Sequence, residues 1–278
     1  AAEFALCIAQ ARAPAPDQIL YRWNGRYGLT LGVIDGDWLM ASALDGTFRI
    51  DLSRRLITCF VTHAQDPAWL DVFLRRVAPR IVILAGGCAL HAAAVKTGEG
   101  ALLLLGGSGA GKSTLSASLA VSGWDVLSDD IALLWDRSSP CVAPATTGVC
   151  VWDDSRTALR LDAERCTLMP GYEGKSRFTS GHDIATAPVP LRGLVFLSRS
   201  AEISSPIVEQ LSGADGMARA GPQRIRFNPA DASGDETRAT FEWLAAVTRR
   251  VACFQMTYPC GYAALGAVEQ TLRELAMR

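Results

Sequence analysis

Apolar and polar positions change rhythm along this chain, and each rhythm predicts a different kind of element. From Ile19 to about Phe60, short runs alternate and are broken at Asn24-Gly25, Asp35-Gly36-Asp37 and Asp45-Gly46. Alternation punctuated this way predicts a small, mostly antiparallel β subdomain of hairpins. Residues 9–18, rich in Ala, Pro and polar groups, read as a loose lead-in. Residues 67–79 switch to helical spacing, with Trp69, Val72, Phe73 and Val77 on one face and a proline near either end. Trp23, Tyr27 and Trp38 read as sheet core rather than as ligand contacts. The chain thus divides into a hairpin-rich part with a bridging helix, residues 1–80, and a larger domain, residues 81–278.

In the larger part, Leu102 to Leu105 predicts a strand buried on both faces. Ala89 to Lys96 predicts a strand carrying His91, joined to the leucine strand through Thr97-Gly98-Glu99-Gly100 as its antiparallel neighbour. Gly123 to Trp135 predicts a strand ending in Asp129-Asp130, with a second apolar run starting at once. Ser155 to Leu161 reads as helical, residues 171–190 as a mobile basic loop, and residues 198–223 as polar loops around a helix. Near the C-terminus, residues 237–251 predict a helix capped by Ser233 or Asp235, with Phe241, Leu244, Ala245, Thr248 and Val251 on one face. Ala252 to Thr257 predicts a strand stopped by Pro259, and Leu265, Val268, Leu272 and Leu275 a closing helix.

Composition narrows the class. A chain of 278 residues, 49% apolar, can bury a substantial core. A net charge of −1 advertises neither nucleic acid nor an anionic membrane as partner. No apolar run reaches the roughly 18 residues of a membrane span, and Ala1 to Ile8 lacks the basic start and long apolar centre of a secretion signal. The expected compartment is the cytoplasm. The eight cysteines, at 7, 59, 88, 141, 150, 166, 253 and 260, form no C-x-x-C pair and have no histidine close in sequence. They read as buried free thiols. His63, His91 and His182 are too scattered for a zinc site.

The chemistry concentrates after the leucine strand. Gly106-Gly107-Ser108-Gly109-Ala110-Gly111-Lys112-Ser113 satisfies the phosphate-loop pattern G-x-x-x-x-G-K-[ST] at every fixed position. Several backbone N–H groups must converge on a polyphosphate, and a glycine-rich loop can turn tightly enough to let them. Lys112 supplies charge for the outer phosphates, and the Ser113 hydroxyl is a ligand for Mg²⁺. Residues 113–120 read as a helix whose positive end faces the anion.

Asp129 and Asp130 stand where nucleotide sites hold Mg²⁺ or orient a nucleophile. Neighbours on a strand point to opposite faces, so both reach one site only if the chain bends there. His91 taken alone reads either as a satisfied core histidine or as a site residue. Lys175 and Arg177 read as phosphoryl clamps, as a grip for an acidic peptide, or as ordinary solvated cations. Residues 151–169, which open with Val151-Trp152-Asp153-Asp154, read as a stretch that helps enclose this site.

The order of His91, the phosphate loop and Asp129-Asp130 resembles the kinase domain of bacterial HPr kinase/phosphorylase, with His91 21 residues before Lys112 and Asp129 17 after it. Pro190-Leu191-Arg192-Gly193 is similar to that family's Arg-Gly strand. The resemblance covers roughly residues 88–275. It implies an α/β fold with a phosphoenolpyruvate carboxykinase/HPr kinase-like phosphate-loop core, a mixed sheet with the loop over one edge. It also implies site roles for His91, Lys112, Ser113, Asp129, Asp130 and Arg192.

Thr114 stands where HPr kinases carry glutamate, and the run that follows their Arg-Gly is absent after Arg192. Both departures point away from HPr as substrate. The chain more closely resembles the HPr-kinase-like proteins encoded with lasso peptides, through Leu90-His91-Ala92, Gly106 to Thr114, Asp129-Asp130, Gly174-Lys175-Ser176-Arg177, Pro190-Leu191-Arg192 and Tyr258-Pro259.

That resemblance implies an ATP- and Mg²⁺-dependent kinase acting on the C-terminal serine of a precursor peptide. Gly106, Ser108, Gly109, Ala110, Gly111, Lys112, Ser113 and Thr114, with Lys175 and Arg177, would hold nucleotide. Ser113 and Asp130 would hold metal, and Asp129 would accept or orient the acceptor proton; the reverse division between Asp129 and Asp130 stays open. Two other functions stay open: an HPr-type serine kinase/phosphorylase and a slowly hydrolysing nucleotide switch. Self-association is left open as well.

Overall fold

The computed structural model describes residues 3–24, 28–44, 46–62, 68–98, 100–146, 148–169, 172–181 and 187–277. Gly25, Tyr27, Asp45, His63, Pro67, Glu99, Gly171 and His182, which figure in the expectations above, lie outside the described residues. The chain forms two compact units, Ala1–Ala85 with Arg226–Glu236, and Gly86–Ile225 with Thr237–Arg278.

In the first unit, β1 (Ala5–Ala9), β2 (Gln18–Trp23), β3 (Leu29–Ile34), β4 (Asp37–Ser42), β5 (Thr47–Asp51) and β6 (Leu56–Phe60) form, among the described residues, one sheet in the order β1-β6-β5-β4-β3-β2. At the β3–β4 turn Asp35 and Gly36 both take left-handed conformations, φ 50° and 85°, which suits the twist of a tight hairpin. Strand β1 is an addition to the sequence reading. It pairs parallel to β6, and a parallel partner leaves no hairpin signal to find.

The helix that follows runs as α1 (Ala68–Val72), a π turn (Phe73–Val77) and α2 (Ala78–Leu84). It continues past Pro79, the expected stop, because the proline falls in the first turn of α2, where a missing N–H costs little. Val72 and Val77 are buried, with Trp69 and Phe73 packed against the same core. Phe227, from the returning segment, meets Trp38 edge-on at 4.6 Å.

The second unit contains β7 (Cys88–Leu90), β8 (Ala93–Thr97), β9 (Gly100–Leu105), α3 (Lys112–Val121), β10 (Val126–Ser128), β11 (Ala132–Trp135), β12 (Cys141–Ala143), β13 (Val149–Trp152) and α4 (Asp153–Ala158). It goes on through β14 (Cys166–Leu168), β15 (Lys175–Phe178), β16 (Val189–Ser200), β17 (Ile207–Leu211), α5 (Gly213–Ala220), the greater part of α6 (Asp235–Thr248), β18 (Ala252–Pro259) and α7 (Leu265–Ala276).

Among the described residues the main sheet is mixed and runs β10-β8-β9-β16-β12-β11-β7, with β18 beside β16 and β17 beside β18; β13, β15 and β14 make a separate small sheet. Strand β9 lies antiparallel to β8 and parallel to β16. The glycine loop therefore leaves an interior strand rather than the sheet's edge. Leu102 and Leu104 pack with Leu115 and Leu119 of α3 and Val268 and Leu272 of α7, whereas Leu103 and Leu105 pack with Trp243, Leu244 and Val247 of α6. Each leucine is at most 1% exposed. Burial stabilises each by about 1.5–3 kcal/mol, so the strand that presents the loop is fixed from both sides.

Several expectations give way in this unit. Residues 171–190 are not one mobile loop, since Lys175–Phe178 is a strand paired with both β13 and β14. The buried face of α6 is Trp243, Leu244, Ala246 and Val247, and Phe241 is exposed because the apolar stripe is rotated from the one read in the sequence. Among the cysteines, Cys7 and Cys260 are exposed. Among the described residues no helix is long and apolar enough to cross a membrane.

Candidate functional site

Strand β9 ends at Leu105 and the loop Gly106–Gly111 turns the chain into α3. Gly109 and Gly111 take φ 78° and 89°, a region that strains residues with side chains. A Cβ on Gly106 would meet Ala110 Cβ at 2.8 Å and Leu197 O at 2.9 Å, whereas one on Gly107 or Gly109 would meet nothing within 4 Å. The first two constraints shape the turn, and the open side faces a cavity of about 510 Å³ lined by residues 107–114. Helix α3 starts at Gly111 with no side-chain cap, so its early N–H groups remain for a ligand.

Lys112 is 7% exposed. Its Nζ donates to Gly106 O at 2.6 Å and Gly107 O at 3.3 Å. Burial lowers its pKa, and the Asp130 charge partly offsets this. Ser108 and Ser113 line the same cavity. Thr114 does so too, with its Oγ1 2.9 Å from Ser155 Oγ.

Asp129 and Asp130 both reach this cavity. Strand β10 carries an irregularity between Val126 and Ser128 and stops there, and Ser128 Oγ donates to Ile131 O at 2.6 Å across a bend. That bend cancels the strand alternation that would have parted the two acids. Asp129 is 7% exposed, and its Oδ2 accepts from the Cys150 N–H at 2.6 Å. Asp130 Oδ1 lies 3.3 Å from His91 Nδ1. His91 sits in the bend between β7 and β8 rather than on a strand, and also lines the cavity.

Arg192 is displaced from this group. Its side chain lies against Gly100, where a Cβ would collide with Arg192 Cγ, at the start of β9 and thus at the end opposite the loop. The parallel register, Leu191 with Ala101 and Phe196 with Leu105, carries β16 on to place Arg199 beside the loop instead. Seven residues of strand separate the two arginines by roughly 23 Å. Arg199 lines the cavity and donates to Gly109 O.

Tyr258, its partner in the β16–β18 register, donates from its hydroxyl to Ala110 O at 2.6 Å. Burial pushes the Tyr258 pKa up to about 12, so it remains a donor. The sequence offered no signal for Arg199, because only the strand register shows which end of β16 meets the loop.

Lys175 lines the cavity whereas Arg177 does not. The Lys175 Nζ stands 5.4 Å from the Trp152 ring centroid and 4.9 Å from that of Tyr172. Trp152 itself lines the cavity and is 52% exposed. Another wall carries a chain of polar contacts. Ser155 Oγ is 3.4 Å from Tyr262 OH, which donates to Asp154 Oδ2 at 3.3 Å. Trp152, Asp154 and Ser155 belong to the 151–169 stretch read as enclosing the site, though no role was assigned to them singly; Tyr262 was not foreseen.

Among the described residues no cluster of three or more His, Cys, Asp or Glu is placed to hold a metal ion. The donor set fits Mg²⁺ held jointly by protein and phosphate. Ser113 and Asp130 share one cavity with an uncapped helix start and a lysine, and Mg²⁺ commonly binds through one or two protein oxygens plus substrate phosphates.

No protein-family model matches the chain, and no curated protein matches it in sequence. Among solved structures it is similar to the Hpr(Ser) kinase/phosphatase from Coxiella burnetii, at 12% identity and a TM-score of 0.36, over 68% of this chain and 96% of that one. A likeness at this level carries no functional weight.

Proposed function

We propose that the chain is an ATP- and Mg²⁺-dependent phosphotransferase acting on a serine hydroxyl, and that its acceptor is the C-terminal serine of a lasso precursor peptide. The observation that carries the phosphotransferase reading is the bend at Asp129-Asp130, which turns two adjacent carboxylates into the cavity that the uncapped start of α3 and Lys112 also line. A phosphate loop alone binds nucleotide. Paired acids opposite it supply what transfer additionally needs, a group to take the acceptor proton and a group to hold the metal. The choice of a lasso peptide rests on the sequence resemblance.

In this reading the loop amides and Lys112 hold the phosphates, and Ser113 and Asp130 hold Mg²⁺. The bound ion would neutralise charge on the outer phosphates. Asp129 takes the proton of the serine Oγ as the new Oγ–P bond forms and the bond to the bridging oxygen breaks, ADP leaving with that oxygen. Arg199, already at the loop, offsets charge on the transferring group. His91 orients Asp130 through its Nδ1 contact.

The test is transfer of label from γ-labelled ATP, in the presence of Mg²⁺, to a serine-terminated precursor peptide with HPr as competitor. Label in the peptide is the expected result. Label in HPr alone would make this an HPr-type kinase, and label only in free phosphate would make it a hydrolytic switch.

A further inference from the structure

Trp152 and Lys175 are cross-strand partners in the β13–β15 register, so their side chains share one face of the small sheet. Tyr172 closes the same spot from the turn between β14 and β15, its ring edge-on to Trp152 at 6.4 Å. The result is a shelf of two aromatic rings with an ammonium over both. Its Trp152 and Lys175 line the same cavity as the glycine loop.

Among the described residues no anion is paired with the charge on this shelf: Lys175 makes no ion pair, although Glu173 stands two positions before it and Asp153 and Asp154 follow its cross-strand partner Trp152. Asp153 pairs with Arg156, and Asp154 accepts from the Ser155 N–H and Tyr262 OH. Ring faces attract an ammonium without neutralising it. The phosphate end of the cavity, meanwhile, has its own cations in Lys112 and Arg199, carried by the main sheet and α3. Lys175 belongs to a separate sheet, and the contact between Thr114 of α3 and Ser155 of α4 lies along the wall that joins the two regions.

Taking the phosphotransferase reading as its basis, we infer that the Trp152–Tyr172–Lys175 shelf is the acceptor subsite and that it selects acceptors by a free carboxylate next to the reacting hydroxyl. The ammonium pairs with the carboxylate, and the exposed indole covers the apolar part of the same residue. A terminal serine carries both groups on one residue. Anchoring its carboxylate therefore restricts where its Oγ can lie relative to the phosphates, and fixed orientation of this kind lowers the barrier to transfer. A serine within a chain, or one ending in an amide, offers Lys175 no charge.

The experiment uses a serine-terminated hexapeptide in two forms, free acid and C-terminal amide. Peptide binding is measured by calorimetry on the full chain loaded with a non-hydrolysable ATP analogue and Mg²⁺, and binding of ATP with Mg²⁺ is measured separately. The wild type is expected to bind the acid about tenfold or more tightly than the amide, the scale of one charge-assisted contact. Lys175→Met is expected to erase that preference while leaving ATP affinity unchanged, and Lys175→Arg to restore it.

Equal binding of acid and amide, or binding of neither, overturns the inference. Loss of ATP affinity in Lys175→Met overturns it too and assigns the shelf to the nucleotide. Because the peptide readout needs no turnover, it decides the acceptor subsite even if no phosphoryl transfer is seen. Failure of the wild type to bind ATP would instead sink the phosphotransferase reading.

Discussion

Arg199 and Tyr258 stand opposite each other on parallel strands and donate to consecutive carbonyls of the glycine loop, those of Gly109 and Ala110. The loop is thus braced from β16 and β18 as well as by its own turn. Tyr258→Phe removes one brace and is expected to lower stability by about 1 kcal/mol and to raise the KM for ATP more than it lowers kcat. Arg199→Ala is expected to lower kcat by about 10²–10³-fold, the usual scale for a lost charge donor. Arg192→Ala, at the far end of β9, is expected to leave transfer unchanged. Steady-state kinetics with thermal melts on the three variants checks the set.

Lys112 pays a desolvation cost in the folded chain, which is why its pKa lies below the usual lysine range. Lys112→Met is therefore expected to weaken ATP binding by about two orders of magnitude or more without lowering the melting temperature of the ligand-free protein. Calorimetric titration and a melt on the same sample separate the two effects.

The adjacent acids are expected to respond differently. Asp129 is buried and accepts from the Cys150 N–H, so Asp129→Ala removes a buried charge-assisted hydrogen bond and is expected to cost about 1–3 kcal/mol. The Asp130 side chain is 30% exposed, and Asp130→Asn is expected to keep the melt while abolishing the response of activity to Mg²⁺. Denaturant titration and a Mg²⁺ dependence on each variant check this.

Glu269 ties α7 to the end of α3. Burial raises its pKa, but donation from Ser122, Arg273 and Trp124 outweighs this and holds the carboxyl below the usual glutamate range. With the folded value depressed, the stabilisation is fully present above the unfolded value and is lost as pH falls through the folded one. Glu269→Gln is expected to melt below the wild type at about pH 7, and the gap is expected to narrow as pH falls below the usual glutamate range. Melts across that range test it.

The leucine strand, the loop and the helix after it were legible because each has a local signature: an unbroken apolar run, fixed glycines, and a lysine-serine pair at the helix start. Asp129 and Asp130 were legible as residues, but their shared direction depends on the Ser128–Ile131 bend, for which sequence supplies only the requirement. Arg199 was not legible. A strand of twelve residues has two ends, and only its register against β9 shows which end meets the loop. Trp152 and Lys175 likewise come together through pairing across 23 positions of sequence, a separation at which no local pattern operates. Strand β1 escaped for the same reason.

The Lys112 ammonium already rests on the carbonyls of Gly106 and Gly107, so an incoming polyphosphate competes with the protein for its own cation. Net affinity is then the difference between two sets of partners, and a ligand with one phosphate has less to offer in that exchange than a ligand with three. Discrimination by phosphate number would follow from the resting position of a single side chain, with no contact to the base required.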